Sequence, residues 1–412
     1  MIINEPEIEY KNGEVIVSAG IELDNPSIWE MPQKLYFAFP EECGKVLNVD
    51  CNPFLYSMLI PAMRLGENIR VLGTVSPRLT FGLQEYQAIF HQAHSQWARH
   101  MVEIEYSRFS ERELSPPQKR FGATSFSGGI DSTFSCFFLK EEQQLIPYAD
   151  LKYALFIHGV DNPLNDPIGF MKLAESFRNF LKPQQVELIT ARTNFILFTQ
   201  FLLPWTLLPQ VPLLSTAMLL RGLIDRFFIP STYSYNRFTV AGSSFLSDHW
   251  VATEEFAVFQ LGRHDFLQKL SYVNQIPEYE NVLRVCSNKK ISLDGNCGHC
   301  IKCLRTMVYL ALQGNYSKYK SFPQPFSRLY ILEWGWKYHT GRVTFINFIH
   351  AAWQKKKYDF LLLGMAAYTL SQINHHLRRF LRFVVPEKIF VRWKQRLFVS
   401  EEDILAPPSP AS

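Results

Sequence analysis

The sequence predicts an α/β fold, a doubly wound parallel sheet with a small N-terminal α+β domain and a helical C-terminal region. Three observations lead to this prediction. Strand-like and helical segments alternate from residue 121 onward, short strands between turn residues dominate the first 110 residues, and the chain from about residue 320 reads as helical. Alternating strands and helices form parallel sheets that are covered on both faces, so most of the core should lie there.

The N-terminal domain is predicted over residues 1–110. Strand patterns occur in EVIVSAGIEL, QKLYFAFP and IRVLGTVSPRL, and a helical pattern occurs in PFLYSMLIPAMRLG. The polar, proline-bearing stretch ERELSPPQKR, residues 111–120, is typical of a linker.

The second predicted domain covers residues 121–315. It begins with the strand FGATSF, the glycine turn SGGID and the helix STFSCFFLKEE, and continues with the strand LKYALFIHGVD. Further strands are predicted in QVELITARTN, RFFIPST and FTVAGSS. Ligands of parallel sheets bind beyond the carboxyl ends of the strands, where the glycine turn is expected.

Composition indicates a globular rather than a disordered chain, and the net charge does not by itself require a polyanionic partner. Of the 412 residues, 47% are hydrophobic and 19% are charged, and the net charge is only +4. The N-terminal stretch MIINEPEIEYKNGE lacks the basic and apolar segments of a signal peptide, so a cytoplasmic location is expected. The most apolar window, residues 195–224, contains three prolines and predicts a loop and a buried helix rather than a membrane span.

The glycine turn has the composition of a phosphate-binding site. Gly128 and Gly129 allow the backbone to approach an anion closely, and the helix that follows presents its positive dipole. Hydroxyl donors are available from Ser127, Ser132 and Thr133. The turn is neither a Walker A loop nor a GxGxxG turn.

The string Ser-Gly-Gly-x-Asp-Ser, residues 127–132, resembles the PP-loop of the N-type ATP pyrophosphatase superfamily. The resemblance implies a fold of the HUP type, like the adenine nucleotide α-hydrolases, and cleavage of ATP between its α and β phosphates with Mg²⁺. It also implies that the turn, including Asp131, surrounds the departing pyrophosphate. Backbone contacts to adenine would then come from Phe156 and Ile157 in the next strand.

Four cysteines predict a metal site. Cys297, Cys300 and Cys303 are spaced for a knuckle followed by the first turn of a helix, and Cys286 supplies a fourth ligand. Four sulfurs without an open position indicate structural zinc, and an iron–sulfur cluster is the alternative.

The glycine turn followed by these cysteines resembles 7-cyano-7-deazaguanine synthase, the QueC family. The segment NCGHCIKCLRT, residues 296–306, resembles a broader QueC-like group that includes ATP-dependent epimerases acting on a muramoyl dipeptide. The likeness covers residues 121–312. The additional N-terminal domain, the long C-terminal region and the segment SFLSDHW depart from the deazaguanine enzyme.

Further site residues are assigned from their places in the chain. Catalytic roles are assigned to Asp131 and Ser132, and to Lys269 because QueC-like proteins carry a lysine before the zinc region. Substrate contacts are assigned to residues near a predicted strand end and to the arginine after the last cysteine, namely Ser243, Asp248, His249 and Arg305. Residues expected at other strand ends are His158, Asp161, Arg192 and Asn194.

The predicted function is an AMP- and pyrophosphate-forming, ligase-like enzyme. ATP activates a small-molecule carboxylate as an acyl-adenylate, which an amine donor attacks or which is transformed by deprotonation. The alternatives are an epimerase acting on a cell-wall or glycan precursor, an RNA-modifying enzyme, and a nucleotide-binding module without catalysis.

The C-terminal region, residues 320–412, is basic near its end. Lys355, Lys356 and Lys357 form one run, and seven further basic residues lie between Arg378 and Arg396. The pattern is typical of a solvated helix face or of a surface for an anionic partner or membrane. The sequence leaves open whether the protein forms an oligomer.

Overall fold

The computed structural model describes residues 1–25, 31–111, 120–160, 162–235, 240, 242–286, 295–338 and 342–384. The chain divides into two compact units, the first ending at Lys269 and the second beginning at Leu270.

The described residues form eleven strands, all of them in the first unit. The strands are β1 Ile2–Ile3, β2 Glu7–Lys11, β3 Glu14–Glu22, β4 Lys34–Pro40, β5 Ile69–Val75, β6 Ile104–Phe109, β7 Phe121–Ser125, β8 Leu151–His158, β9 Glu187–Thr193, β10 Ile224–Ile229 and β11 Ala257–Gln260.

Helices connect and cover these strands and make up most of the second unit. The α-helices are α1 Asn52–Leu65, α2 Pro77–Ala93, α3 Ile130–Glu142, α4 Pro167–Leu181, α5 Phe195–Thr199, α6 Gln210–Leu219, α7 Phe266–Val273, α8 Tyr279–Val282, α9 Ile301–Leu312, α10 Leu329–Lys337, α11 Arg342–Gln354 and α12 Tyr358–Val384. A short 3₁₀ helix at Asp248–Trp250 precedes β11.

The strands form one sheet that is mostly parallel. Its order is β11-β10-β7-β8-β9-β4-β3-β1-β5-β6, and β2 pairs with β3 beside this path. The five strands from β11 to β9 are mutually parallel. The predicted α/β class with a parallel sheet is therefore confirmed.

The carboxyl end of β7 is the topological switch point of the parallel part. From β7 the chain proceeds to β8 and β9 on one side, and it returns to β10 and β11 on the other side. Connections leave such a strand in opposite directions, which opens a crevice above its end. The glycine turn follows β7 directly and therefore lies at this crevice.

The N-terminal strands extend the same sheet, because β4 pairs antiparallel with β9. Asn194 joins the two strands: its Oδ1 accepts from the backbone N–H of Tyr36 at 3.0 Å, and its Nδ2 donates to the carbonyl of Lys34 at 2.9 Å. Arg192 donates to the Tyr36 hydroxyl at 2.8 Å and pairs with Glu14 at 2.5 Å. Both residues lie at the end of β9, as predicted, and their contacts join β9 to the N-terminal strands.

Most of the apolar window is buried, although Leu197 and Phe201 are exposed. Residues 195–224 contain α5 and α6, and every residue of α6 except Leu213 is buried. The prediction of a loop and a buried helix is confirmed. Within the described residues, no helix combines the length and the hydrophobicity that crossing a bilayer requires.

One predicted strand is not confirmed, and one strand was not predicted. The segment FTVAGSS covers residues 238–244, of which 238, 239 and 241 lie outside the described residues and the other four belong to no strand; the fifth parallel strand is β11. The sequence pattern missed β11 because its four residues have only one buried position. A strand this short at the sheet edge carries little hydrophobic periodicity.

The described residues of the predicted C-terminal region form helices α10, α11 and α12, so its helical character is confirmed as far as Val384. Trp334 in α10 is fully buried, with its ring 4.3 Å from that of Phe345 and 5.9 Å from that of Tyr309. Gly335 packs directly on α12, because a Cβ atom there would lie 2.4 Å from the Ala367 carbonyl oxygen. This glycine allows α10 and α12 to approach closely.

Candidate functional site

The glycine turn is locked by Ser132. The Ser132 hydroxyl accepts from the backbone N–H of Ser127 at 3.2 Å and donates to the Gly129 carbonyl at 3.1 Å. Gly128 has φ +72°, in the left-handed region that favours glycine. A serine in the first turn of α3 thereby closes the loop that joins β7 to the helix.

The first turn of α3 has no side-chain cap. Its N-cap is Gly129, which has no side chain, so the amides at the start of the helix are not occupied by a capping oxygen. Ser127 and Gly129 are half-buried, whereas Thr133 is fully buried. The amide donors, the helix dipole and the Ser127 hydroxyl together have the chemistry of an anion-binding loop.

An ion pair crosses the switch point. The Lys269 ammonium donates to Asp131 Oδ1 at 2.8 Å and also to the carbonyl of Ser231, just beyond β10. The Lys269 side chain is 1% exposed and that of Asp131 is 23% exposed. The lysine therefore connects the start of α3 to the end of β10. Its buried positive charge lies next to the partly accessible carboxylate of Asp131.

The side chains at the end of β8 lie in the hydrophobic core. Phe156 and Ile157 are buried, and their register partners in β9 are Thr190 and Ala191. The Phe156 ring stacks on Phe170 at 4.6 Å. Their side chains thus pack inside the unit, so any adenine contact from this strand would be a backbone contact.

His158 is also buried, with Nε2 2.8 Å from the carbonyl of Pro163 and its ring stacked on Phe170. Burial lowers the pKa of His158 from its ordinary value. These contacts give the histidine a packing role. Asp161, which the sequence also assigns to this strand end, lies outside the described residues.

After β10, the adjacent residues Asp248 and His249 have opposite environments, although the sequence assigns both to the substrate pocket. Asp248 is 1% exposed and accepts from the Ser244 backbone N–H at 2.9 Å and from the Ser247 hydroxyl at 3.1 Å. Burial raises the pKa of Asp248 to about 7. His249 is exposed, with Nδ1 3.2 Å from the Phe245 carbonyl, so its environment is solvent. Ser243 is half-buried and accepts from the Gln260 side-chain amide at 2.6 Å.

The four predicted cysteines converge in the second unit. The sulfur atoms of Cys286, Cys297, Cys300 and Cys303 all lie within 4.8 Å of one another. The Cys297 and Cys303 sulfurs are 3.9 Å apart. A tetrahedral zinc with Zn–S bonds of about 2.3 Å would place its ligands about 3.8 Å apart, so the cluster could hold a metal ion such as zinc.

Backbone amides stabilise the thiolates of this cluster. Cys297 Sγ accepts from the N–H of Cys300 at 3.2 Å, and Cys300 Sγ accepts from the N–H of Cys303 at 3.4 Å. A hydrogen bond with Cys286 is the largest cause that lowers the pKa of Cys297, to about 6. Hydrogen bonds with the other thiols raise the pKa of Cys303 above its ordinary value. Cysteines bind a metal as thiolates, and a bound cation would offset the repulsion among four of them.

Asn296 joins the two segments that carry the cysteines. It is 2% exposed, and its Oδ1 accepts from the N–H groups of Val285 at 2.8 Å and Cys286 at 3.1 Å. Its Nδ2 donates to the carbonyl of Leu283 at 3.0 Å and to the Ser321 hydroxyl at 3.0 Å. The sequence assigned no role to Asn296, although its place directly before the first cysteine of the knuckle is the signal that indicates one.

Gly298 forms the turn of the knuckle. It has φ +75°, and a Cβ atom there would lie 2.3 Å from the Gln324 side chain. Arg305 lies in α9, two residues after Cys303, and is half-buried. It belongs to the second unit, whereas the glycine turn belongs to the first.

Comparison of the chain with protein-family models, with curated proteins and with solved structures finds no match.

Proposed function

We propose that this protein is an ATP-dependent adenylating enzyme of the PP-loop type. An oxygen of a substrate carboxylate attacks the α-phosphorus of ATP, the bond from that phosphorus to the oxygen bridging the α and β phosphates breaks, and pyrophosphate leaves. An amine then displaces AMP from the acyl-adenylate. The products are an amide or related compound, AMP and pyrophosphate.

The observation that carries the proposal is the position of Ser-Gly-Gly-x-Asp-Ser at the switch point of a parallel sheet. A tight turn that merely caps a helix requires one capping side chain, and here the N-cap is a glycine without one. The uncapped first turn, the left-handed Gly128 and the Ser127 hydroxyl instead suit a polyphosphate.

The charged groups at this turn suit the same chemistry. Lys269 pairs with Asp131 at 2.8 Å, and the partly exposed carboxylate can hold a divalent cation. Mg²⁺ bound with ATP supplies neutralisation of the charge that develops on the leaving phosphates. The amides of the turn would orient the phosphates. The hydrogen bonds of Ser132 hold the turn in one conformation.

In the cysteine cluster we propose structural zinc. Four thiolates leave no open position for substrate, and their spacing fits a tetrahedral ion. An iron–sulfur cluster could use the same ligands, but no other described feature indicates electron transfer. The zinc and the ATP chemistry together correspond to the QueC-like resemblance, and a cytoplasmic location follows from the need for ATP and reduced thiols.

The second step of the reaction depends on the acceptor. Amide or nitrile formation is the proposal from the QueC-like motif, with a small-molecule carboxylate and an amine donor as substrates. Deprotonation beside the activated carbonyl would give an epimerase acting on a cell-wall or glycan precursor, and a nucleic-acid acceptor would give an RNA-modifying enzyme.

Exchange of labelled pyrophosphate into ATP tests the first step without knowledge of the amine. We expect exchange that requires Mg²⁺ and one acid from a panel of carboxylates. Asp131→Asn should abolish it, whereas Asp166→Asn is a matched control, because Asp166 accepts from Gly169 N–H at the start of α4 and asparagine caps a helix equally well. ATP binding without exchange for any acid would contradict the proposal and favour a nucleotide-binding module without catalysis.

A further inference from the structure

Helix α12 buries few large apolar side chains. Its buried residues are small, polar or charged apart from Phe360, and they follow one another at helical spacing: Phe360, Gly364, Ala367, Ser371, Asn374 and Arg378. Leu361, Leu363, Tyr368 and Leu370 are half-buried beside them. Ser371 donates to the carbonyl of Tyr338 at 2.8 Å, and Asn374 donates to the carbonyl of Trp336. The polar side chains of this helix are thus used in its contact with α10 and the residue after it.

The solvent-facing side of α12 carries five exposed large apolar residues, at spacings of three, four and eight: Leu362, Met365, Ile373, Leu377 and Phe380. Among them are the exposed polar residues Thr369, His375 and His376. Leu362 is 66% exposed and Phe380 is 61% exposed. We call these five residues the α12 stripe. A surface helix ordinarily turns its apolar side to the core, so this stripe indicates that something covers it.

The same part of the chain is strongly basic. Residues 341–400 contain eleven lysines or arginines and only two acids, although the whole chain has a net charge of +4. Lys355, Lys356 and Lys357 are all exposed and stand immediately before α12. One of the two acids, Asp359, is already paired with Arg328 at 2.6 Å. Trp353, at the end of α11, is 61% exposed beside this lysine run.

We propose that the α12 stripe and the lysine run form a docking surface for an anionic lipid bilayer, on which the helix lies in the interface. An exposed apolar stripe flanked by lysines and an exposed tryptophan is the pattern of interfacial helices that bind anionic lipid. A second copy of the chain would bring together two copies of a region that has eleven basic residues and only two acids. Nucleic acid would match the charge but would leave the aliphatic residues of the stripe uncovered. The proposal is independent of the proposed adenylation.

Flotation of the full-length protein with lipid vesicles tests this surface. We expect binding to phosphatidylcholine vesicles containing about one quarter phosphatidylserine, and binding about 100-fold weaker to phosphatidylcholine alone, because each of the three lysines near an anionic surface contributes several-fold. Binding to the mixed vesicles should also weaken as salt is raised.

Two variants separate the apolar and electrostatic contributions. Leu362→Gln with Phe380→Gln should weaken binding at least 10-fold, since two exposed side chains would no longer enter the interface. Lys355→Gln with Lys357→Gln should weaken it about 30-fold at low salt, and should have little effect at high salt. Ile168→Gln with Lys172→Gln on α4 is the matched control, since both residues are exposed on the first unit, and it should not change binding.

Three outcomes would overturn the proposal. The first is no binding of the wild-type protein to the mixed vesicles at low salt. The second is a dimer in solution that the Leu362→Gln and Phe380→Gln variant dissociates, which would make a second copy the occupant. The third is tight, salt-dependent RNA binding in place of vesicle binding, unaffected by changes to the stripe.

Discussion

The ammonium group of Lys269 lies 2.8 Å from the Asp131 carboxylate, although the two residues are separated by 137 intervening positions in the chain. Lys269 is fully buried and also donates to the carbonyl of Ser231. The pair thus connects the first turn of α3 with the end of β10, on the two sides of the topological switch point.

Replacing Lys269 with methionine should reduce acid-dependent pyrophosphate exchange by about 100-fold or more, because the site loses the charge that stabilises Asp131 and the developing pyrophosphate. The measurement is the exchange rate at saturating ATP, with circular dichroism to establish that the variant folds. Arg263→Met is the control. Arg263 lies in the loop before α7 and also forms an ion pair, with Glu142 at 2.6 Å, but its side chain is largely exposed. Equal losses in both variants would show that Lys269 acts only by holding the loop.

Replacing Gly128 with alanine should weaken ATP binding, because an L-residue at φ +72° costs about 1 kcal/mol and tends to reorient the amides of the turn. Gly13→Ala provides a matched control with the same kind of strain, since Gly13 has φ +75° in the turn between β2 and β3 and open space around it. Both variants should lower Tm by a few degrees, and only Gly128→Ala should raise the Kd for ATP measured by calorimetry. An unchanged Kd in Gly128→Ala would remove the glycine turn from the nucleotide site.

Local patterns made the fold class and the metal cluster predictable from the sequence. Strands β7, β8 and β9 are apolar runs bounded by turn residues, and the spacing of the four cysteines determined that their sulfurs could meet. The opposite environments of Asp248 and His249 were not predictable, because both belong to a 3₁₀ turn whose burial is decided by packing against distant parts of the chain. The join of β4 to β9 through Asn194 is likewise a long-range contact that leaves no periodic signal.

Replacing Cys300 with serine should abolish tight metal binding, because a neutral hydroxyl is a poor zinc ligand and the remaining three thiolates leave the ion incompletely coordinated. We expect about one zinc per chain in the wild-type protein and almost none in the variant, as measured by plasma mass spectrometry. Cys43→Ser is the control: burial raises the pKa of Cys43 to about 11, so its thiol stays protonated and should not affect the metal content. Iron and sulfide in the wild-type protein in place of zinc would establish the iron–sulfur alternative.

Replacing Asn296 with alanine should lower metal affinity by about 10- to 100-fold while leaving all four cysteines in place. The side chain fixes the backbone at Cys286 through hydrogen bonds to the N–H groups of Val285 and Cys286, so its removal frees the segment that carries the fourth ligand. Competition with a chromogenic chelator measures the affinity. Asn274→Ala is the control, since Asn274 is a hydrogen-bonded asparagine of the same unit whose side chain bonds to Gln313 and Tyr319 and not to the cysteine segments. If Asn296→Ala retains wild-type affinity, the asparagine supports the fold but not the ligand geometry.

Replacing Asp248 with asparagine should change how stability depends on pH. Burial raises the pKa of the folded carboxyl from 3.8 to about 7, so the folded state binds this proton more tightly than the unfolded chain does. The favourable contribution is complete below the unfolded pKa and is lost as the pH rises from about 4 to 7, by up to about 1.4 kcal/mol per pH unit. Asparagine removes this loss, so the Tm of Asp248→Asn relative to wild type should increase across that range. His249→Asn is the control for the exposed neighbour and should give a difference in Tm that changes far less. A constant difference between Asp248→Asn and wild type would mean that the hydrogen bonds from Ser244 and Ser247 keep the carboxylate ionised throughout the range.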